Sequence, residues 1–337
     1  PFLEAIRQVK KAVGRNDCLY IHVTLVPFVT GAGELKTKPT QHSVKELRSL
    51  GIQPDILICR SAKPIPQDMC EKMAMFCDVD ADAVFQNLTA RSIYAVPVLL
   101  EKQGLDEVVL RKLDVDATNH PLDMAEWHDM VERMLKDYDR KVTLGVVGKY
   151  VELQDSYISL TEALRHAAMA NEANLDIKWI NAELVEEGEI DLEAELKDVD
   201  CILVPGGFGS KGLEGKISAI KYARENKVPF FGICLGMQCA VVEYARHIGM
   251  TGANTTEANA ETAYPVIDIL PDQQDVEEKG SMRLGLYPCK VAAGSLTEKA
   301  YGEALIYERH RNRYEVNNAY REELEKNGLV IAGALPN

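Results

Sequence analysis

A cysteine held between two glycines is the residue best placed to do chemistry in this chain. Val228-Pro229-Phe230-Phe231-Gly232-Ile233-Cys234-Leu235-Gly236-Met237-Gln238 passes from a short apolar run through Gly-x-Cys-x-Gly into an apolar helical pattern reaching Tyr244. Strand, sharp turn and helix in that order describe a nucleophile elbow, here carrying a thiol where hydrolases of this type carry a hydroxyl. Gly232 and Gly236 permit a turn that a Cβ would obstruct. The spacing predicts Cys234 at a helix N-terminus, where the dipole and unpaired N–H groups favour a thiolate. A buried cysteine closing a core strand is the plain alternative. The paired glycines favour the nucleophile.

A second glycine-rich loop supports that reading. Asp200-Cys201-Ile202-Leu203-Val204 has the pattern of a strand and leads into Pro205-Gly206-Gly207-Phe208-Gly209. In a parallel sheet this loop opens at the same carboxyl edge as the Cys234 turn, where sites of α/β folds form. The N–H groups of Gly207 and Leu235 are expected to flank the oxygen of a tetrahedral intermediate, each such donor contributing about 10²–10³ in rate. A Cys nucleophile also needs a base, normally a His oriented by a carboxylate. None of the seven histidines (22, 42, 120, 128, 166, 247, 310) has Asp or Glu two residues on. His166 and His247 lie in helical patterns and suit structural roles, and His310 sits in a strongly basic run. The base is expected to lie outside this chain.

These residues need elements to position them, and strand and helix signals alternate through most of the 337 residues. Leu19–Val26 and Ile56–Cys59 read as buried strands, with helices at Ser43–Leu50 and Glu71–Phe76. A mainly helical stretch follows from Ile93 to Asp137. A new buried strand at 142–148 opens a second part with strands 175–180, 200–204 and 228–233 and helices 157–170, 212–225 and 235–246. Short strands are expected at Tyr264–Leu270, Met282–Tyr287 and Ala304–Tyr307, a solvated loop at Pro271–Lys279, and a strand-like close at Leu329–Ala332. The fold class is therefore α/β, in two domains, 1–138 and 139–337, each a mainly parallel sheet flanked by helices. Pro1 starts directly in a helical pattern (Phe2, Leu3, Ile6, Val9, Val13), so the chain reads as cut at both ends.

Bulk properties narrow the function. A net charge of −14 opposes general nucleic-acid binding, which needs a basic face. Eight cysteines without a Cys-x-x-Cys pair suggest reduced thiols in a cytoplasmic protein rather than disulfides or zinc. No apolar run approaches a membrane span of about 20 residues. Lys36, Thr37, Lys38, Pro39, Thr40 and Gln41 precede a helix expected near Thr40. Two ammonium groups, two hydroxyls and helix N–H groups at that point suit a triphosphate. A merely solvated loop is the other reading.

The elbow and the Pro205–Gly209 loop together resemble class I (triad) glutamine amidotransferase domains. KTKPTQHS at Lys36–Ser43, inside a run continuing to Ser61, narrows the resemblance to the CTP synthases. So do VGKYVELQDSY at Val147–Tyr157, SMRLG at Ser281–Gly285 and ERHRNRYEVNN at Glu308–Asn318. The likeness covers essentially the whole chain. It implies a P-loop-type amidoligase domain joined to a glutaminase domain, making CTP from UTP, ATP and glutamine. It also implies Mg²⁺ with the nucleotides, GTP as activator, CTP as feedback inhibitor and a homotetramer.

By that resemblance Cys234 is the nucleophile, and Gly207, Leu235, Gly236, Met237 and Gln238 line the oxyanion and glutamine site. Glu257 holds the glutamine amino group and Arg313 its carboxylate. Lys36–Gln41 and Lys72 contact UTP or CTP, and Leu88, Thr89 and Ala90 contact adenine of ATP. The family's phosphate loop and metal-holding acids would precede Pro1, and its His-x-Glu pair would follow Asn337, so no metal ligand is expected here and this chain alone is expected to be inactive. Ala258 stands where a Phe is usual and Asn312 where a His is usual; both are expected to affect packing only. Two other readings are a stand-alone Cys glutaminase, which would not need Lys36–Gln41, and a non-catalytic nucleotide-binding assembly subunit with a vestigial elbow.

Overall fold

A computed structural model describes residues 1–14, 16–116, 118, 122–269 and 282–336. His120, Leu270 and the loop expected at Pro271–Lys279 lie outside the described residues. The chain divides into two compact units, Pro1–Asp137 and Tyr138–Asn337.

The first unit runs α1 (Phe2–Val13), β1 (Ile21–Leu25), β2 (Phe28–Val29), β3 (Glu34–Leu35), α2 (Lys38–Ser49), β4 (Ile56–Ser61) and α3 (Gln67–Cys77). It continues with β5 (Val84–Leu88), α4 (Ala95–Glu101), α5 (Leu105–Lys112) and α6 (Ala125–Leu135). Strands β1, β4 and β5 form a parallel sheet with β4 in the centre. Side chains alternate across a strand, so β4 is buried on both faces. Leu57 and Cys59 pack with Val26, Val44 and Met73 on one side, and Ile56 and Ile58 pack with Phe85 and Val108 on the other. That burial pushes the Cys59 thiol up to about 12 and the Cys77 thiol up to about 11. Strand β5 escapes the pattern reading because Gln86 and Asn87 interrupt its apolar run. Among the described residues, the stretch from Ile93 to Asp137 is broken into three short helices.

The second unit runs β6 (Arg140–Gly148), α7 (Ile158–Ala170), β7 (Ala173–Asn181), α8 (Ala182–Glu186), α9 (Leu192–Leu196), β8 (Cys201–Val204), α10 (Leu213–Asn226), β9 (Phe230–Gly232) and α11 (Leu235–His247). Then come β10 (Asn254–Thr255), β11 (Pro265–Ile269), β12 (Arg283–Val291), α12 (Leu296–Tyr301), β13 (Leu305–Asn312), β14 (Tyr314–Val316), α13 (Asn318–Lys326) and β15 (Gly333–Ala334). The main sheet is parallel in the order β7-β6-β8-β9. Ile202 and Val204 face α10 and α11, while Leu203 faces the opposite side with Leu144 and Val146. Arg224 of α10 donates to the buried Glu243 carboxylate of α11 at 2.8–3.1 Å, closing the packing of those two helices. Among the described residues, two three-stranded sheets, β10-β11-β14 and β13-β12-β15, follow in the unit. Leu329–Ala332 is not a strand: pairing is confined to Gly333–Ala334, which meets the end of β12 at Lys290 and Val291.

Candidate active site

Close backbone approach builds the turn around Cys234. A Cβ on Gly236 would lie 2.0 Å from the Val204 carbonyl oxygen, and one on Gly232 would lie 2.6 Å from Gly236 C. Helix α11 can therefore start against the ends of β8 and β9 only without those side chains. The backbone strain falls on the cysteine, whose φ of 53° and ψ of −109° are rare for a residue with a Cβ. Cys234 is the N-cap of α11 and stays half-buried. By contrast, burial among the α10–α11 packing pushes the Cys239 thiol, one helical turn on, up to about 12.

The Pro205–Gly209 loop follows β8 and lies directly beside this turn. A Cβ on Gly206 would come within 3.3 Å of the Cys234 Cβ and 3.9 Å of Sγ. Gly206, rather than Gly207, is thus the glycine packed against the Cys234 side chain. Gly207 faces Leu235 Cδ2 and the Nζ of Lys216, a lysine of α10 that is only 1% exposed and whose pKa burial lowers. The Gly236 N–H is taken by the Ile233 carbonyl at 2.8 Å, which closes the turn. Among the described residues no acceptor pairs with the N–H of Gly207 or Leu235.

Anchors fix the loop from both ends. The Gly209 N–H donates to Glu257 Oε1 at 2.8 Å, and Lys149 Nζ donates to the Phe208 carbonyl at 3.1 Å. The Arg311 guanidinium lies 5.6 Å from the Phe208 ring centroid. Gln238, one helical turn beyond Cys234, is buried and donates to the Tyr314 carbonyl at 3.0 Å, tying α11 to β14. Arg313 sits half-buried in the bend between β13 and β14, with no acidic partner among the described residues. It adjoins Asn312, whose Nδ2 donates to Cys234 Sγ at 3.6 Å. The packing-only expectation for Asn312 is therefore corrected: the side chain on the sulfur is this amide rather than an imidazole. Ala258 does behave as packing, lying against the core of the unit.

In the first unit, the residues expected to contact nucleotides lie on the connection from β3 into α2, on α3 and at the end of β5. The β2–β3 hairpin leads through Lys36 into α2, and Lys38 is exposed on its first turn. Lys36 pairs with Glu34, and Thr37 is buried, its hydroxyl accepting from Gln41 Nε2 at 3.3 Å. Thr40 is fully buried, its hydroxyl accepting from Thr24 and donating to the Leu25 carbonyl, so its expected role as a phosphate hydroxyl gives way to tying α2 to β1. Pro39 at the helix start also removes one N–H from any phosphate cradle. Lys72 is exposed on α3. Leu88 ends β5, and the Thr89 N–H donates to the Ser61 carbonyl at 3.1 Å, leaving Leu88–Ala90 on the sheet's carboxyl edge.

Comparison with known proteins follows these two halves. Residues 1–115 match the family model for the CTP synthase N-terminus, and residues 152–337 match that for class-I glutamine amidotransferases. A protein of Clostridium kluyveri named CTP synthase is 56% identical over 338 residues, covering 100% of this chain and 62% of that protein. One of Methanocaldococcus jannaschii with the same name is 55% identical over 342 residues, covering 100% of this chain and 63% of that protein. The chain thus spans about 62% of the length of such relatives. The glutaminase domain of Trypanosoma brucei CTPS with bound acivicin superposes with a TM-score of 0.54 at 36% identity, covering 58% of this chain and 75% of that one.

Proposed function

The chain belongs to the class-I glutamine amidotransferase family, with a CTP synthase N-terminal domain ahead of that part, and from this premise we infer that the complete protein makes CTP from UTP. The observation that carries the reading is Cys234 in its strained N-cap conformation beside the Gly206–Gly207 loop. In the proposed sequence, the Cys234 thiolate attacks the carboxamide carbon of glutamine. The oxygen takes up negative charge facing the Gly207 and Leu235 N–H groups. Collapse breaks the C–N bond, releases ammonia once the nitrogen is protonated, and leaves a γ-glutamyl thioester that water hydrolyses to glutamate. The base that moves these protons is assigned to the longer protein. Glu257 and Arg313 are the proposed partners of the glutamine amino and carboxylate groups, with Gly236, Met237 and Gln238 lining the site.

In the synthase half, ATP phosphorylates O4 of UTP, and ammonia displaces that phosphate at C4. Lys36–Pro39, Gln41 and Lys72 are proposed to face the pyrimidine nucleotide, and Leu88–Ala90 the adenine. Mg²⁺ is proposed to arrive with the nucleotide phosphates; among the described residues no group of three or more His, Cys, Asp or Glu is placed to hold a metal ion. GTP activation, CTP inhibition, a tetramer and a cytoplasmic setting complete the proposal. Among the described residues no helix is long and apolar enough to cross a membrane.

The test is Cys234→Ala in the complete protein. CTP formation with glutamine is expected to fall to background while formation with ammonium chloride continues at the parent rate. Loss of both would refute this division of labour.

A further inference from the structure

The geometry points to Asn312 as a positioning residue for the nucleophile: its amide holds the Cys234 sulfur and supplies a hydrogen bond to the anionic form of the thiol. This rests on the reading of Cys234 as nucleophile and names a partner for it within this chain. The residues are 78 positions apart, yet Asn312 Nδ2 lies 3.6 Å from Sγ, an ordinary N–H···S distance. Its orientation is set from behind. Asn312 Oδ1 lies 3.1 Å from His310 Nδ1, and the His310 ring is held edge-on by Tyr287 with centroids 5.6 Å apart.

An amide that presents NH₂ to sulfur presents its carbonyl oxygen to His310. The imidazole must then carry its proton on Nδ1 and donate it. The three side chains form a directed line, His310 to Asn312 to Cys234, in which every polar atom gives or accepts in one sense. Asn cannot act as a base, so the line moves no proton. It orients the sulfur and favours its negative charge, since a hydrogen bond to a charged group is stronger than one to a neutral group. Cys234 takes its positive φ at the start of α11, and Asn312, the last residue of β13, meets its sulfur there.

The test is alkylation of Cys234 by iodoacetamide in this chain, followed peptide by peptide with mass spectrometry across pH 6–9. The surrounding charged side chains, Lys149, Lys216, Glu257, His310, Arg311 and Arg313, are unchanged in each variant. Wild-type Cys234 is expected to react faster than the partly exposed Cys18, Cys201 and Cys289. Asn312→Leu, which keeps the volume and loses the donor, is expected to react about fivefold more slowly at pH 7. Asn312→Asp keeps the shape and adds a negative charge beside the sulfur. It is expected to slow the reaction at least about tenfold and displace its pH profile to the alkaline side. Asn312→His, which restores an N–H donor, should return the rate to within about threefold. Equal rates in wild type, Leu and Asp variants, with Cys234 still the fastest thiol, would overturn the role of Asn312 and leave the nucleophile standing. A wild-type Cys234 no faster than the other three would overturn both.

Discussion

The thiol at position 234 occupies a backbone conformation that most residues avoid, and its neighbours explain why the fold tolerates it. Gly232 and Gly236 have no positive φ; they are required for space, because α11 begins in contact with β8. Adding one methyl group at Gly236 places a carbon 2.0 Å from a backbone oxygen that cannot move without breaking the sheet. Gly236→Ala is therefore expected to destabilise the chain by about 3 kcal/mol, read as a lowered urea midpoint with unchanged slope. An unchanged midpoint would mean that α11 can back away from the sheet at little cost. The two glycines and the cysteine were legible from spacing alone. Gly206 was within reach too, since Pro-Gly-Gly offered two adjacent positions and nothing local distinguished them. Asn312 was not, because its contact depends on a strand whose pairing brings together residues far apart in sequence.

Between elements, the same buried polar groups that stabilise packing also set its response to acid. His22 of β1 meets Ser43 of α2 at 2.8 Å, and burial lowers its pKa below the ordinary value of 6.5. The unfolded chain then binds a proton in a window, below about pH 6.5, where the folded chain does not. Stability is consequently lost as pH falls through that window. His22→Gln retains an amide for Ser43 and removes the titration, so the decline in Tm between pH 7 and pH 5 is expected to become shallower. A decline of the parent steepness would show that His22 gains its proton without cost to the fold. Thr40 makes a related point about legibility. Its position at the start of a helix suggested a ligand group, whereas α2 packs on β1 so that the hydroxyl is used up inside. Helix phase relative to a neighbouring strand decides this, and local sequence does not encode that phase.

On the scale of the whole molecule, each compact unit has hydrophobic clusters of its own among the described residues. Val26, Leu57, Met73 and Phe85 belong to clusters within residues 1–137, and Val147, Ile202, Leu235 and Val266 to a cluster within 138–337. A unit with its own sheet, flanking helices and buried core meets the requirements for folding alone. Residues 138–337 expressed alone are expected to give a cooperative thermal transition and to alkylate Cys234 within about twofold of the rate in the longer chain. A molten far-UV-only signature, without a near-UV signal, would show that residues 1–137 are needed to complete that core.

Local sequence determined the α/β character, the main strands and helices around the elbow, and the turn that places Cys234 at a helix start, because hydrophobic period, glycine spacing and turn chemistry act within about ten residues. It missed β5, whose polar residues hide a strand buried by its neighbours, and it misplaced the strand at the end of the chain, where pairing with β12 selects Gly333–Ala334. Tertiary structure alone decided which glycine packs against the Cys234 side chain, that Glu257 accepts from the N–H of Gly209 in that loop, and that an amide from β13 donates to Sγ. Each of those is a contact across tens of residues, and such contacts arise only once the sheets have fixed where distant turns meet.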